Sequence, residues 1–528
     1  MTRMIGRSSI RTSFAKIALS RSQEQRYLAY TKIFSECDPK RIFDDRMVDC
    51  LLKYGRHLDQ MKADLKGLNE LECEGDDFLF SRSYFDCNKM IEAIEKFSMP
   101  NHRSFRYNQN YQWAVKSLCE EFSKANLKSL HFSSSQDVRD ALPKETTHSG
   151  FLFIETGKKR KGDNIEVVFL TLDKFQKESI VRGNFGVPIL VSKRTQGTAH
   201  DEFSGKLKAK GKHKTRLVCM VDLRVIVSEL MFSNPLQNFM SREIDWYAGG
   251  KTPGELRSLV ARDRHAVNYW VSLDFSSFDQ TISDWLIEDA FKIIKAAFTQ
   301  LSADDEALLD VIRDSFIHKD FLLAEGEVKH VDKGVPSGSM FTQVVDSIVN
   351  RLMILTYLRA NSKFCRLGHV NDSNIMGDDH LLATTDKVDL DDLSGYLRAN
   401  FGVTMNSDKC VTSEQRGFFT PWFLSREFRP GGEWRHPNVL LDHLAYPERF
   451  RPYDKSEVKP EDIIYCMCLT YPLGMAELID YEKFFKDYNP KERKKVLERV
   501  DGNWLPGSWT FIRDYTLPKR YKFNNYAA

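Results

Sequence analysis

The chain has 528 residues, 42% hydrophobic and 29% charged, so it is long enough for one large core or several subdomains and is patterned as an ordinary soluble globular protein. No apolar run is long enough to cross a bilayer, which excludes a membrane-spanning protein. The ten cysteines include no Cys-x-x-Cys pair, and Cys466 and Cys468 have the wrong spacing for zinc, so they read as reduced thiols of a cytosolic setting.

A net charge of +3 is too small to imply a polyanionic partner, but the positive charge is unevenly placed. Lys158, Lys159, Arg160 and Lys161 form one basic cluster, and KLKAKGKHKTR from Lys206 to Arg216 forms another. For a charge run alone, a solvated face is the plainer reading. About the first twenty residues are rich in Arg and Ser, with no acid before Glu24. That pattern suits a mitochondrial presequence or an arm that binds RNA or a neighbouring protein; with no clear cleavage signal, the arm is preferred.

From about residue 20 to 130 the pattern is mixed and mostly helical, without internal repeats or low-complexity tracts. Between 150 and 235 the apolar runs FLFIE, IEVVFLTL and VPILV, separated by Gly and basic residues, predict strands and exposed loops. Gly250-Lys251-Thr252 has the ending of a phosphate-binding loop, but Asp245 stands where that pattern needs Gly, so the segment reads as an ordinary loop.

YWVSLDF predicts a buried strand that delivers Asp274 to its end. Ile282 to Phe298 predicts a helix whose apolar face holds Ile282, Trp285, Leu286, Phe291, Ile294 and Ala297. The turn-forming run GVPSGS precedes a helix expected from about Ser339 to Ala360. SNIMGDDHLLA then predicts a hairpin, with Gly377 permitting the tight turn and Asp378 and Asp379 at its tip.

Joining nucleotides requires in-line attack of a 3′-hydroxyl on an α-phosphate, and two Mg²⁺ ions held by carboxylates can stabilise both oxygens involved. Asp274 at a strand end and Asp378 on a hairpin can meet across adjacent strands although about a hundred residues separate them. A lone Gly-Asp-Asp is weak evidence; the order strand-DFSSFD, GVPSGS opening a helix, then hairpin-MGDD is much stronger.

DFSSFDQ at Asp274, GVPSGSMFTQVVDSIVN at Gly334 and IMGDDHL at Ile375 resemble motifs A, B and C of viral RNA-dependent RNA polymerases. The second run is most similar in wording to the partitivirus and picobirnavirus group of small double-stranded RNA viruses, and the resemblance covers roughly residues 210 to 450. It implies an α+β right-hand polymerase fold of fingers, palm and thumb, with an antiparallel palm sheet backed by helices. The implied divisions are an N-terminal extension (1–60), fingers (61–235, returning at 285–330), palm (236–284 and 331–428) and thumb (429–528).

The resemblance further implies Asp274 and Asp378 as principal Mg²⁺ ligands, with Mn²⁺ possible, and Asp379 as an auxiliary carboxylate. Asp279 would face the incoming ribose, while Ser337, Gly338 and Thr342 match the loop and helix start beside the nascent pair. Lys214 and Arg216 resemble the basic finger of motif F, with Arg224 as a candidate third member. Lys409, ending FGVTMNSDK, resembles the motif D lysine that protonates pyrophosphate, and WFLSREF resembles motif E, which supports the primer strand or simply packs palm on thumb.

One position departs from the pattern. Many relatives place Asn nine residues after the motif B serine, where this chain has Asp346; Asn350 lies one helical turn further on. A carboxylate donates no hydrogen bond unless protonated, so Asn350 is either the substitute or a buried structural amide.

The expected partners are template and product RNA, nucleoside triphosphates and a viral capsid protein, without a membrane, inside the virion in the host cytoplasm. Reverse transcriptase is a neighbouring reading, but its active turn usually has an aromatic residue before the paired aspartates, where this chain has Met376-Gly377. A non-catalytic RNA-binding or capsid protein would suit the basic arm and leave the aspartates unexplained.

Overall fold

The computed structural model describes residues 43–71, 92–98, 102–153, 158, 160–251, 253–263, 268–322, 328–361, 373–417, 420–447, 451 and 453–500. The basic N-terminal arm, Lys159 and the end of the expected thumb lie outside the described residues. Helices α1 (Asp45–Tyr54), α2 (Leu58–Glu70), α3 (Gln109–Phe122) and α4 (Ile165–Arg182) precede a long hairpin of β1 (Ile189–His200) and β2 (Leu207–Met220). Helix α5 (Leu223–Glu243) leads to β3 (Tyr269–Leu273), α6 (Asp284–Ala296) and α7 (Ala303–Ile317). A short hairpin of β4 (Lys319–Leu322) and β5 (Val328–Val331) is followed by α8 (Thr342–Ala360) and the hairpin of β6 (Ser373–Met376) and β7 (Asp379–Thr384). Then come α9 (Leu390–Phe401), β8 (Val411–Thr412), β9 (Trp422–Phe423), β10 (Arg426–Arg429) and β11 (Gly432–Trp434). Helices α10 (Pro437–Ala445), α11 (Pro460–Thr470), α12 (Pro472–Leu478) and α13 (Tyr481–Asp487) follow.

The central sheet has strand order β6-β7-β3-β8 and is antiparallel throughout. Helices α6 and α8 pack on one another and on α3, and α8 also packs on β6. Helix α8 is buried around nearly its whole circumference, from Val344 to Tyr357, because its sequence is apolar on every face. Its few polar residues are therefore conspicuous: Asp346, Ser347, Asn350 and Arg351 are all buried.

One expected strand is a helix. In IEVVFLTL the buried positions are Ile165, Val168 and Leu172, continued by Phe175, a helical spacing, while Val167 and Leu170 face solvent. A short run of this kind cannot be assigned by hydrophobicity alone. FLF forms a single 3₁₀ turn (Phe151–Phe153), whereas VPILV does enter β1.

The described residues form two apolar cores. The larger holds α3 to α9 and one face of the central sheet; the second joins α1 and α2 to Trp422, Phe423 and α10 to α13. Residues 61–70 pack with the C-terminal helices. A buried ion pair reinforces this union, with Arg451 Nη1 2.9 Å from Asp44 Oδ2, while the Asp44 amide donates to the Ala445 carbonyl at 2.9 Å. The described cysteines, Cys50, Cys119, Cys219, Cys410, Cys466 and Cys468, are free thiols. No helix among the described residues is long and apolar enough to cross a membrane.

Candidate active site

The register of the central sheet brings the carboxylates together. β3 pairs with β7 so that Leu273 faces His380, and one step further Asp274 comes opposite Asp379. β6 and β7 pair Met376 with Asp379, leaving Gly377 and Asp378 as the two turn residues. Gly377 has φ +66°, the positive value that the first central position of a type II′ hairpin turn requires.

Helix α8 holds this turn from behind. The Gly377 amide donates to Ser347 Oγ at 2.8 Å, and Asn350 Nδ2 donates to the carbonyls of Gly377 (3.0 Å) and Asp378 (3.3 Å). Asn350 Oδ1 meets His380 Nδ1 at 2.8 Å. Ser347 and Asn350 reach the same turn because residues three apart share a helix face. Both ends of the Asn350 amide are engaged by the hairpin, the arrangement of a buried structural amide.

Asp274 has its own support. The Asn406 amide donates to the Asp274 carbonyl at 2.8 Å, and Asn406 Nδ2 donates to Asp274 Oδ2 at 2.6 Å. Lys409 Nζ lies 4.0 Å from the same carboxylate oxygen, with its side chain 66% exposed. Asn406 was missed in the sequence reading, although it stands three residues before Lys409 in the segment that supplied the lysine.

The charges are closely placed. Burial, then the neighbouring carboxylates of Asp378 and Asp274, push the Asp379 carboxyl well above the usual range, against the smaller opposing pull of Arg216 and Arg426. Asp378 is exposed at the turn. Closely placed oxygen donors, only partly offset by Lys409, Arg216 and Arg426, suit hard divalent cations, so Asp274, Asp378 and Asp379 could hold them. Arg426, on β10, is a second residue that the sequence reading passed over.

The turn joining β9 to β10 places Leu424 and Ser425 at φ +53° and +57°. The left-handed region is uncommon for residues other than glycine, so this part of WFLSREF is a locally strained turn.

The Gly334–Ser339 loop is stitched to β2. Ser337 Oγ donates to the Leu217 carbonyl and accepts from the Cys219 amide, both at 3.2 Å. A Cβ at Gly338 would lie 1.8 Å from the Cys219 carbonyl oxygen, so only glycine fits there. Thr342 Oγ1 donates to the Pro336 carbonyl at 2.7 Å, closing the loop onto the start of α8. The Asp279 carbonyl accepts from the Val335 amide at 2.6 Å, which ties the segment after β3 to the same loop.

Asp346 is buried, with Oδ1 lacking a hydrogen-bond partner. Burial first, then the charges of Asp279 and Asp378, raise its carboxyl well above the usual range. The basic strand is divided in its roles. Arg216 is exposed and acts on Asp379 electrostatically; Lys214 pairs through its backbone with Gln196, and its side chain lies outside the described part. Arg224 is held within the fold: its Nε donates to Asp222 Oδ1 at 3.2 Å and its guanidinium stacks 4.3 Å over Phe175. Lys251 is buried and donates to the Ser241 carbonyl at 2.9 Å, as befits a loop anchor.

An antiparallel sheet that gathers carboxylates from a strand end and a hairpin turn, backed by helices and flanked by a basic hairpin, is the palm of a right-hand polymerase. The chain belongs to the viral RNA-dependent RNA polymerases: the model of the family described as "Viral RNA-dependent RNA polymerase" matches residues 74–457. It is 27% identical over 301 residues to the RNA-directed RNA polymerase of Cryptosporidium parvum virus 1 (strain KSU-1), a match covering 56% of this chain and 53% of that protein. It is 26% identical over 343 residues to the genome polyprotein of Ljunganvirus 1, covering 60% of this chain and 14% of the polyprotein. The chain thus spans about half the length of the Cryptosporidium virus relative and a small part of the polyprotein.

Among solved structures, the RNA-dependent RNA polymerase of a human picobirnavirus superposes with a TM-score of 0.60 at 14% identity, covering 90% of each chain. An insertion-loop deletion mutant of such an enzyme gives a TM-score of 0.53 at 15% identity, over 93% of this chain and 88% of that one. Both share the right-hand fold. Polymerases of this family generally use divalent metal ions.

Replacing Asn350 by Ala removes its bonds to the buried Gly377 carbonyl and His380 Nδ1, so it should lower unfolding stability by about 2–4 kcal/mol. Denaturant unfolding measures this, and a change below about 0.5 kcal/mol would contradict the anchoring role.

Proposed function

We propose that the chain is an RNA-directed RNA polymerase that replicates and transcribes a viral double-stranded RNA genome, by template-directed nucleotidyl transfer at a two-metal centre using Mg²⁺ or Mn²⁺. The observation that carries this reading is the convergence of Asp274 with Asp378 and Asp379 on neighbouring strands, within the span matched by the family. When bound, the cations favour ionisation of the attacking 3′-hydroxyl and neutralise charge on the departing pyrophosphate. In this reading Asp274 and Asp378 are the principal ligands and Asp379, the more enclosed, is auxiliary.

The remaining work belongs to the chain's own side chains. Arg216, with Lys214 on the same strand, grips the triphosphate, a task suited to the planar guanidinium fork. Lys409, solvent-accessible and beside Asp274, delivers a proton to the pyrophosphate oxygen. Asp279 and Asp346 face the ribose. The raised pKa of Asp346 favours its protonated form, and a neutral carboxyl can donate the hydrogen bond that a carboxylate cannot. Ser337, Gly338 and Thr342 shape the loop beside the nascent pair. The partners in this reading are template and product RNA, nucleoside triphosphates and the viral capsid protein, with the enzyme inside the virion in the host cytoplasm. Its support is the likeness of the GVPSGS run to small double-stranded RNA viruses, whose genomes are usually copied within the particle.

Purified chain supplied with single-stranded RNA, nucleoside triphosphates and Mg²⁺ or Mn²⁺ should incorporate nucleotides. Asp378→Asn should lose more than about a hundredfold of that activity, since a catalytic cation contributes several kcal/mol. Undiminished incorporation by Asp378→Asn would overturn the site, and a wild type that binds RNA without extending it under any metal or primer would favour a binding protein. In the same assay Asp346→Ala should reduce the preference for ribonucleotides over deoxyribonucleotides by about fivefold, the worth of one hydrogen bond of about 1 kcal/mol. An unaltered ratio would remove Asp346 from ribose recognition.

A further inference from the structure

The β4–β5 hairpin carries a group of side chains able to chelate that does not include the three aspartates. Strand alternation puts residues two apart on one face, so His318 and Asp320 share a side of the ribbon with His330 and Asp332, while Lys319, Phe321 and Val331 turn inward and are buried. The ladder pairs Asp320 with His330, and one step beyond its last pair His318 comes opposite Asp332. His318 Nδ1 and His330 Nε2 lie 2.7 and 2.8 Å from the same oxygen, Asp332 Oδ1. One donor atom from each of these residues can be chosen so that all lie within 4.8 Å of one another. Metal–ligand bonds of about 2.0–2.2 Å therefore require only side-chain rotation.

We propose that His318, His330 and Asp332 form a binding site for one divalent transition-metal ion of the zinc or cobalt class, with Asp320 as the residue that positions His330. Two imidazoles and one carboxylate are a borderline donor set that suits such ions, whereas Mg²⁺ prefers oxygen ligands. The second observation is behind the ligands: His330 Nδ1 lies 2.8 Å from Asp320 Oδ1. A carboxylate on the far nitrogen of a ligating histidine fixes its tautomer and ring orientation, here with Nε2 turned toward Asp332 and His318. The imidazoles are 58% and 57% exposed, so water can complete the coordination.

The site also has a structural consequence. Asp332 leads directly into Lys333 and Gly334, whose carbonyls each accept from the buried Lys319 Nζ at 2.8 Å. Gly334 begins the loop that carries Ser337 and Gly338. A metal on the hairpin would clip the base of that loop to β4 from the solvent side, as Lys319 does from within.

Co²⁺ titration of the purified full-length chain in excess Mg²⁺, followed by visible absorption, tests the proposal. One equivalent should bind with the strengthened absorption of a four- or five-coordinate site containing nitrogen ligands. That signal should vanish in His318→Ala and His330→Ala, persist in Asp378→Asn, and require about tenfold more Co²⁺ in Asp320→Asn. Co²⁺ should also raise the melting temperature of the wild type and leave that of His330→Ala unchanged. An unaltered signal in either histidine variant, or none in folded wild-type protein at saturating Co²⁺, would overturn the site; an unshifted Asp320→Asn titration would overturn the positioning role.

Discussion

Like charges must be held together before this structure can do anything. Burial, and then the charges of Asp378 and Asp274, raise the cost of ionising Asp379. Backbone register decides their meeting: the β3–β7 ladder ends at Leu273 and His380, one step before Asp274 and Asp379, and the two-residue turn carries Asp378. Neutral hydrogen bonds then hold the arrangement, from Ser347 and Asn350 behind the turn and from Asn406 beside Asp274. Supporting groups without negative charge add nothing to the repulsion, and divalent cations would relieve it.

The same economy extends outward from α8. Its N-terminal loop is joined to the basic strand β2 through Ser337 and to the segment after β3 through the Val335 amide and the Asp279 carbonyl. The close approach at Gly338 leaves no room for a side chain between that loop and the Cys219 carbonyl. The strand bearing Arg216, the loop and the carboxylate sheet are consequently one hydrogen-bonded assembly, in which moving the loop must disturb the strand that faces the triphosphate in the proposed mechanism.

Much of this was legible in the sequence because the decisive elements are short and strongly marked. The apolar run before Asp274 and the Gly377 turn each have one natural reading, and α8 follows from a long apolar stretch after a Gly- and Pro-rich loop. The helix at Ile165–Arg182 was misread because a few apolar residues fit either period, and tertiary burial chose the helical one. Asn406, Ser347 and Arg426 were invisible for a different reason: their roles depend on which backbone atoms lie opposite them in space. The contacts of Arg224 with Asp222 and Phe175 were equally out of reach, because they depend on how α5 packs against α4. The grouping of α1 and α2 with the C-terminal helices joins distant parts of the chain, and local pattern carries no trace of it.

The account rests on the three aspartates being a cation centre, and counting bound Mn²⁺ by electron paramagnetic resonance tests that most directly. With template RNA and a matching nucleoside triphosphate present, and with His330 replaced by Ala so that the hairpin contributes nothing, the chain should hold two Mn²⁺ ions. Adding Asp274→Asn should reduce the count to no more than the ion that the nucleotide brings with it. An identical count with and without Asp274→Asn would contradict the account.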